Sequence, residues 1–283
     1  MDTVEDVARK VEIATILGTF QSTMTHFPYL RKIWQKNTEE ERLLGVSFTG
    51  ILDNEWMGKV SDETAKNLEQ LKSVAVDTNL QFSNLLGIPQ SAAITCVKPS
   101  GTVSQLVDSA SGIHTRHSDY YIRRVRGDKK DPLTAFLTKA GIPTEDCVMR
   151  PESTAVFSFP MKAPEGARTR EDLTAIQHLD LWLMYQRHWC EHKPSVTISV
   201  KEDEWMDVGA WVWKNFSEIS GVSFLPYDGG TYRQAPYEEC TKEQYEELLA
   251  KMPTTIDWDS LIEYDDNVEG VQTLACTGSS CEI

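Results

Sequence analysis

Apolar and polar positions along the chain follow two periods, and where the period changes the elements change. Over residues 2–35, Val4, Val7, Ala8, Val11, Ile13, Ala14, Leu17 and Gly18 give an apolar stripe. This predicts a long helix with Pro28 breaking or kinking its end. Residues 44–51 read as a short buried strand closed by Asp53-Asn54. A second helical stripe covers 62–86, with Ser61 or Asp62 as its cap, and leads through Gly87-Ile88-Pro89 into the β-branched run 92–97. Further on, 131–140 reads as a helix with Pro132 in its first turn and Gly141 as its stop. Residues 154–160 read as a strand, 170–192 as a helix bounded by Pro194, 195–200 as a strand, 202–216 as a helix and 221–225 as a strand. A last helix is predicted over 242–252, with Thr241 and Gln244 at capping-box spacing. Strands and helices in this alternation predict an α/β layer or barrel with parallel strand pairs. No internal repeat is visible.

Candidate chemistry sits just after the run 92–97. Lys98-Pro99-Ser100-Gly101-Thr102-Val103-Ser104 begins as a turn, and Val103, Leu106 and Val107 have the spacing of one helix face. A helix starting here presents amide N–H groups without intrahelical partners at the positive end of its dipole. Ser100, Thr102 and Ser104 add hydroxyls, and Gly101 lets a ligand approach the backbone. Ser100, Gly101, Thr102, Val103 and Ser104 are therefore a candidate phosphate site. The same residue types also make ordinary caps and turns, and spacing alone does not separate the two readings.

With 283 residues, 40% of them hydrophobic, the chain can bury the core of one large domain or two small ones. Its net charge of −15 argues against a general nucleic-acid surface and against anionic membranes. Arg116, Arg123, Arg124 and Arg126 are a local exception, either a phosphate-facing cluster or a solvated basic face. No apolar run approaches the roughly 18–20 residues of a membrane span, and the acidic start is unlike a signal peptide, so a cytoplasmic location is expected.

Six scattered cysteines fit a reducing compartment. Only Cys276 and Cys281 are close in sequence, around a loop of small residues flexible enough to let them join. No second Cys/His pair accompanies them, so a redox pair is favoured over zinc, and no metal site is expected. His188 and His192 lie four apart on a helix but lack a third ligand, which makes them polar residues near a helix end. His114 and His117 either face a phosphate or line a loop. Cys96 reads as a small core residue, and Cys147, Cys190 and Cys240 receive no role. After Trp258 the chain turns acidic and loses its periodicity, so residues 259–283 are expected to form a mobile tail.

Read together with Ser111-Gly112-Ile113-His114-Thr115-Arg116-His117 and Tyr120-Tyr121-Ile122-Arg123-Arg124-Val125-Arg126, the turn resembles the ribonucleotide reductase large chain, most closely its adenosylcobalamin-dependent branch. The resemblance covers most of residues 4–283, including 14–21, 40–46 and 194–200. It implies the C-terminal part of a ten-stranded α/β barrel over residues 1–258, with substrate phosphates on Ser100 to Ser104. It also implies that Cys276 and Cys281, on the tail 259–283, re-reduce the active site with electrons from a thioredoxin-like donor. Tyrosyl-radical members of the family carry adjacent tyrosines on the last barrel strand. This chain has Phe224-Leu225-Pro226-Tyr227 there, which points to adenosylcobalamin as the radical source.

Two departures qualify the resemblance. Thr115 stands where the branch has proline, which bears on the rigidity of that loop. None of Cys96, Cys147, Cys190 or Cys240 lies in the Asn-x-Cys-x-Glu setting of the family's thiyl-radical cysteine. The expectation is a C-terminal portion, inactive in converting ribonucleotides to 2′-deoxyribonucleotides until an N-terminal portion completes the site. A non-catalytic nucleotide-binding or regulatory fragment is the rival reading.

Overall fold

The computed structural model describes residues 2–227 and 233–262, and the backbone of 276–277 and 280–281. In chain order the elements are α1 (Val4–Gln21), α2 (Lys32–Glu41), β1 (Val46–Ser47), α3 (Asp62–Leu86), β2 (Thr95–Cys96) and α4 (Val103–Leu106). There follow β3 (Tyr120–Asp128), α5 (Pro132–Lys139), β4 (Thr144–Asp146), β5 (Thr154–Lys162), α6 (Ala175–His188) and β6 (Ser195–Val200). The last are α7 (Trp205–Lys214), β7 (Gly221–Pro226), β8 (Tyr237–Glu239), α8 (Lys242–Lys251), β9 (Cys276–Thr277) and β10 (Ser280–Cys281). They group into two compact units, one made of the described chain up to Thr115 with 172–227, the other of 116–171 with 233–262.

The first unit is parallel α/β. β1 pairs with β2, and β6 pairs with β7 from Ser195↔Gly221 to Val200↔Pro226. A hydrogen bond of 3.1 Å from Ser195 N–H to Val97 O links the two pairs. Alternation along β6 decides its two faces: Val196, Ile198 and Val200 are buried, whereas Ser195, Thr197 and Ser199 are half-buried on the other side. α6 packs against β6 and buries Leu179, Leu181, Trp182 and Tyr185, each contributing roughly 1.5–3 kcal/mol of burial. Its aromatic residues also satisfy backbone carbonyls: Trp182 Nε1–H donates to Pro194 O and Tyr185 O–H to Met57 O, and just beyond the helix Trp189 Nε1–H donates to Cys96 O. The Glu191 carboxylate accepts the N–H groups of Ile94 and Thr95 at 2.9 and 3.2 Å, taking the place of a neighbouring strand. Between α1 and α3, buried Asn79 donates to Thr19 Oγ1 and Ser91 Oγ and accepts from Ser91 N–H, so its amide is fully engaged.

The second unit is antiparallel. Its sheet has the order β4-β5-β3-β8, with nine residue pairs between β3 and β5. α8 packs on this sheet, held at its start by the capping box of Thr241 and Gln244.

Several expectations change here. The first helix ends at Gln21, because the Ser22 and Thr23 hydroxyls bond the carbonyls of Thr19 and Phe20, and a separate helix begins at Lys32. The strand expected over 44–51 shrinks to Val46–Ser47, followed by a 3-10 turn at Ile51–Asp53. The helix expected over 170–192 is Ala175–His188, fixed at its start by the Thr174/Gln177 capping box. The strand Tyr120–Asp128 and the antiparallel sheet around it were not anticipated. Among the described residues the strands form separate small sheets of an α/β fold. Within the segment 259–283, residues 263–275, 278–279 and 282–283 lie outside the described residues.

Candidate functional site

β2 delivers the chain into the turn. Lys98 N–H donates to Ser47 Oγ at 2.9 Å, holding the exit of the strand against β1. Ser100, not Gly101, takes the left-handed conformation, with φ of +57°. Its carbonyl accepts Ser104 N–H at 2.9 Å, and its hydroxyl donates to Lys98 O. Thr102 is the backbone cap of α4, but its side chain makes no capping bond. The N–H groups of Gly101, Thr102 and Val103 make no backbone hydrogen bond among the described residues. Consecutive free amides beside a left-handed residue form a concave anion-binding nest.

The helix behind the nest differs from expectation. α4 is one turn long, so its dipole is small and the amides themselves carry the positive potential. Val103, Leu106 and Val107 do share a face, but that face is exposed, and Ser104 is buried instead. Asp108, with φ of +47°, turns the chain back, and Ser109 N–H closes the loop onto Ser104 O at 2.9 Å.

The second motif supports the first from below. Gly112 has φ of +52°, and a Cβ there would stand 2.6 Å from the Lys98 carbonyl oxygen. Only glycine allows that approach. His114 Nδ1–H donates to Ser111 O at 2.8 Å, while Nε2 accepts Thr197 N–H at 3.0 Å, which fixes a neutral tautomer. His178 Nε2–H donates to Ile113 O. The two rings meet edge to face, 6.3 Å between centroids. Burial, and then the neighbouring His178, bring His114 down to about 4. His178 is also lowered by burial, against the opposing effect of its bond to Ile113. Both imidazoles are thus neutral clamps on residues 111–114.

In the second unit, His117 Nε2 accepts from Arg170 Nη2 at 3.0 Å, and burial followed by this guanidinium lowers it to about 3. The arginines at 116, 123, 124 and 126 belong to the same unit and are engaged there. Arg116 N–H bonds Arg168 O, Arg123 lies over the Tyr237 ring, Arg124 pairs with Glu238 at 2.6 Å, and Arg126 donates to Gln234 O. His188 pairs with Glu69 at 2.8 Å while His192 Nε2 donates to Leu44 O at 2.9 Å, so these rings serve separate contacts.

No protein-family model matches the chain. An adenosylcobalamin-dependent ribonucleoside-triphosphate reductase of Euglena gracilis is 33% identical over 99% of the chain. A Lactobacillus gasseri protein of the same name is 26% identical over 96% of the chain, and a probable one of Dictyostelium discoideum is 28% identical over the whole of this chain and 37% of its own length. Among solved structures, a B-12 dependent (class II) ribonucleotide reductase superposes with a TM-score of 0.74, at 25% identity over 87% of the chain. The chain is homologous to part of the adenosylcobalamin-dependent ribonucleotide reductases. It spans about two fifths of these relatives: 38% of the Euglena protein, 40% of the Lactobacillus protein and 38% of the solved structure.

Against this reductase background the cysteines sort themselves by setting. Cys96 lies in β2 with its thiol raised by burial, as a core residue requires. Cys190 is raised further by burial and by Cys96, and Cys240 by burial and then by Glu238 and Glu239. Cys147 is different. Burial opposes its ionisation, but the N–H groups of Met149 and Arg150 and the Arg126 guanidinium outweigh that and bring the thiol below its ordinary range. Met149 and Arg150 are its neighbours in sequence, but Arg126 meets it only through the fold, so no sequence motif marks it. The backbone of Cys276 lies opposite that of Cys281 in the two-residue ladder of β9 and β10, while their side chains lie outside the described residues.

Among the described residues no helix is long and apolar enough to cross a membrane.

Proposed function

We propose that this chain supplies the substrate phosphate-binding turn and a dithiol relay to an adenosylcobalamin-dependent reductase that converts ribonucleoside triphosphates to their 2′-deoxy forms. The observation that carries the reading is the near full-length similarity to reductases of that name, joined to a nest of free amides at Gly101, Thr102 and Val103. In this reading the nest and the hydroxyls of Ser100, Thr102 and Ser104 hold the phosphates, and the His114 and His178 clamps keep the turn in place beneath them. A preformed row of donors needs no reorganisation when the anion arrives.

Adenosylcobalamin, when bound, supplies the radical that starts the reaction. The end of β7 fits a cofactor-borne source: Phe224, Leu225 and Pro226 carry no phenol, and the one tyrosine, Tyr227, lies under Lys201 Nζ at 5.7 Å. Cys276 and Cys281 are assigned the return of electrons from a thioredoxin-like protein to the active site. The radical-bearing cysteine and its Asn and Glu partners are assigned to a separate N-terminal portion.

The test is reconstitution. The chain is mixed with the remaining three fifths of a relative, adenosylcobalamin and a dithiol, and deoxynucleotide is quantified. Product on mixing, with none from either part alone, is the expected result. Nucleotide binding by the chain with no product in any mixture would overturn the proposal in favour of a non-catalytic nucleotide-binding fragment.

A further inference from the structure

A cavity of about 460 Å³ opens where β6 and β7 begin, walled by Lys98, His192, Lys193, Ser195, Ser220 and Ser223. This volume falls in the range of small-molecule sites, roughly 300–1,000 Å³. Its charge runs against that of the chain: 43 acidic residues outnumber 28 basic ones overall, yet no carboxylate lines the cavity. Lys98 and Lys193 are exposed, and neither forms an ion pair among the described residues. Two nearby carboxylates in sequence are directed elsewhere. Glu191 accepts the backbone N–H groups of Ile94 and Thr95, and Glu218 takes both nitrogens of Arg187 at 2.5 and 2.7 Å. The imidazole of His192 is held on the wall by its bond to Leu44 O.

The hydroxyls complete the chemistry. Ser195 starts the polar face of β6, and the parallel register pairs Thr197 with Ser223, so Ser195 and Ser223 stand on the same side of the ladder. Hydroxyls between two ammonium groups donate to an anion, and two lysines of like charge call for a ligand carrying more than one negative charge. Lys98 and Pro99, which open the turn, line the cavity, whereas none of residues 100–104 does, so it adjoins the turn without including the free amides.

We propose that this cavity is a second anion site, adjoining the turn but separate from residues 100–104, that takes the phosphate groups of a small molecule. The inference stands on the cavity alone and does not require the turn to bind substrate.

Inorganic pyrophosphate is the probe, titrated calorimetrically into the full chain carrying Gly101→Leu, which obstructs the turn. Saturable binding is expected to survive in that background, to weaken about tenfold or more on adding Lys193→Gln, and to vanish on adding Ser223→Asp, which places a carboxylate in the wall. Lys98→Gln, a change at an exposed side chain, carries the same test should Ser223→Asp disturb the strand. Absence of binding in the Gly101→Leu chain, or equal affinity after the lysine and serine changes, would overturn the proposal.

Discussion

Acidification should loosen the support beneath the turn, and the size of the effect follows from one histidine. His114 is buried, donates through Nδ1 and accepts through Nε2, so protonation places a charge in an apolar site and also turns its acceptor into a donor facing Thr197 N–H. Folding lowers its pKa from 6.5 to about 4. The unfolded chain therefore binds the proton more tightly, and stability falls as pH drops below about 6.5 until it levels off near pH 4. At about 1.4 kcal/mol per tenfold change in affinity, this residue alone accounts for roughly 3 kcal/mol over that window. His178, lowered in the same direction, and His117, lowered to about 3, add to the fall. Urea unfolding between pH 7.5 and 4, on the wild type and on His114→Gln, isolates the residue, because the carboxylates titrate alike in both. The variant should be less stable at pH 7, by about 1–3 kcal/mol for the hydrogen bonds it loses. Its pH profile should be shallower by roughly 3 kcal/mol. Parallel profiles would refute the assignment of a buried neutral imidazole.

Gly101→Leu should weaken nucleotide binding in the reconstituted enzyme by tenfold or more, with little change in unfolding midpoint, as read by isothermal titration; unchanged affinity would count against the turn. Asn79→Ala strands the buried Ser91 N–H and takes the donor from the Ser91 hydroxyl, while the Thr19 hydroxyl keeps its bond to Thr15 O, so urea unfolding should register a loss of about 1–3 kcal/mol, with no shift in nucleotide affinity. Cys276→Ser and Cys281→Ser should each abolish steady turnover driven by a thioredoxin-type protein while sparing the first turnover, and a small diffusible dithiol should restore part of it. Wild-type turnover with the protein reductant in either variant would rule out the relay.

Much of the fold was legible where the signal is local. The caps at Ser61 and Thr241 and the strand Ser195–Val200 sit where side-chain chemistry and period-two alternation predict them. Periodicity failed at α4 for a definite reason. It tells which residues share a face but not which face turns inward, and there the hairpin at Asp108 buries Ser104 and leaves Val103 and Leu106 outside. The strand Tyr120–Asp128 escaped notice because its arginines read as surface. They stand on a strand whose partner begins at Thr154, a pairing no short window contains. At the candidate site, residues 100–104 were legible as turn chemistry, and the left-handed Ser100 was not. The basic cavity was invisible altogether, since Lys98, Lys193 and Ser223 come from three separate stretches of chain.

The contact between Gly112 and the Lys98 carbonyl constrains how this region can change. A steric conflict between two side chains can be relieved by a second substitution on either one, and such pairs appear as compensating mutations. Here the opposing atom belongs to the main chain, which every residue type shares, so no exchange at position 98 makes room for a side chain at 112. A selection for suppressors of Gly112→Ala should therefore return true revertants, or insertions and deletions within residues 105–111 that reset the path of the intervening arc, and no single replacement at position 98.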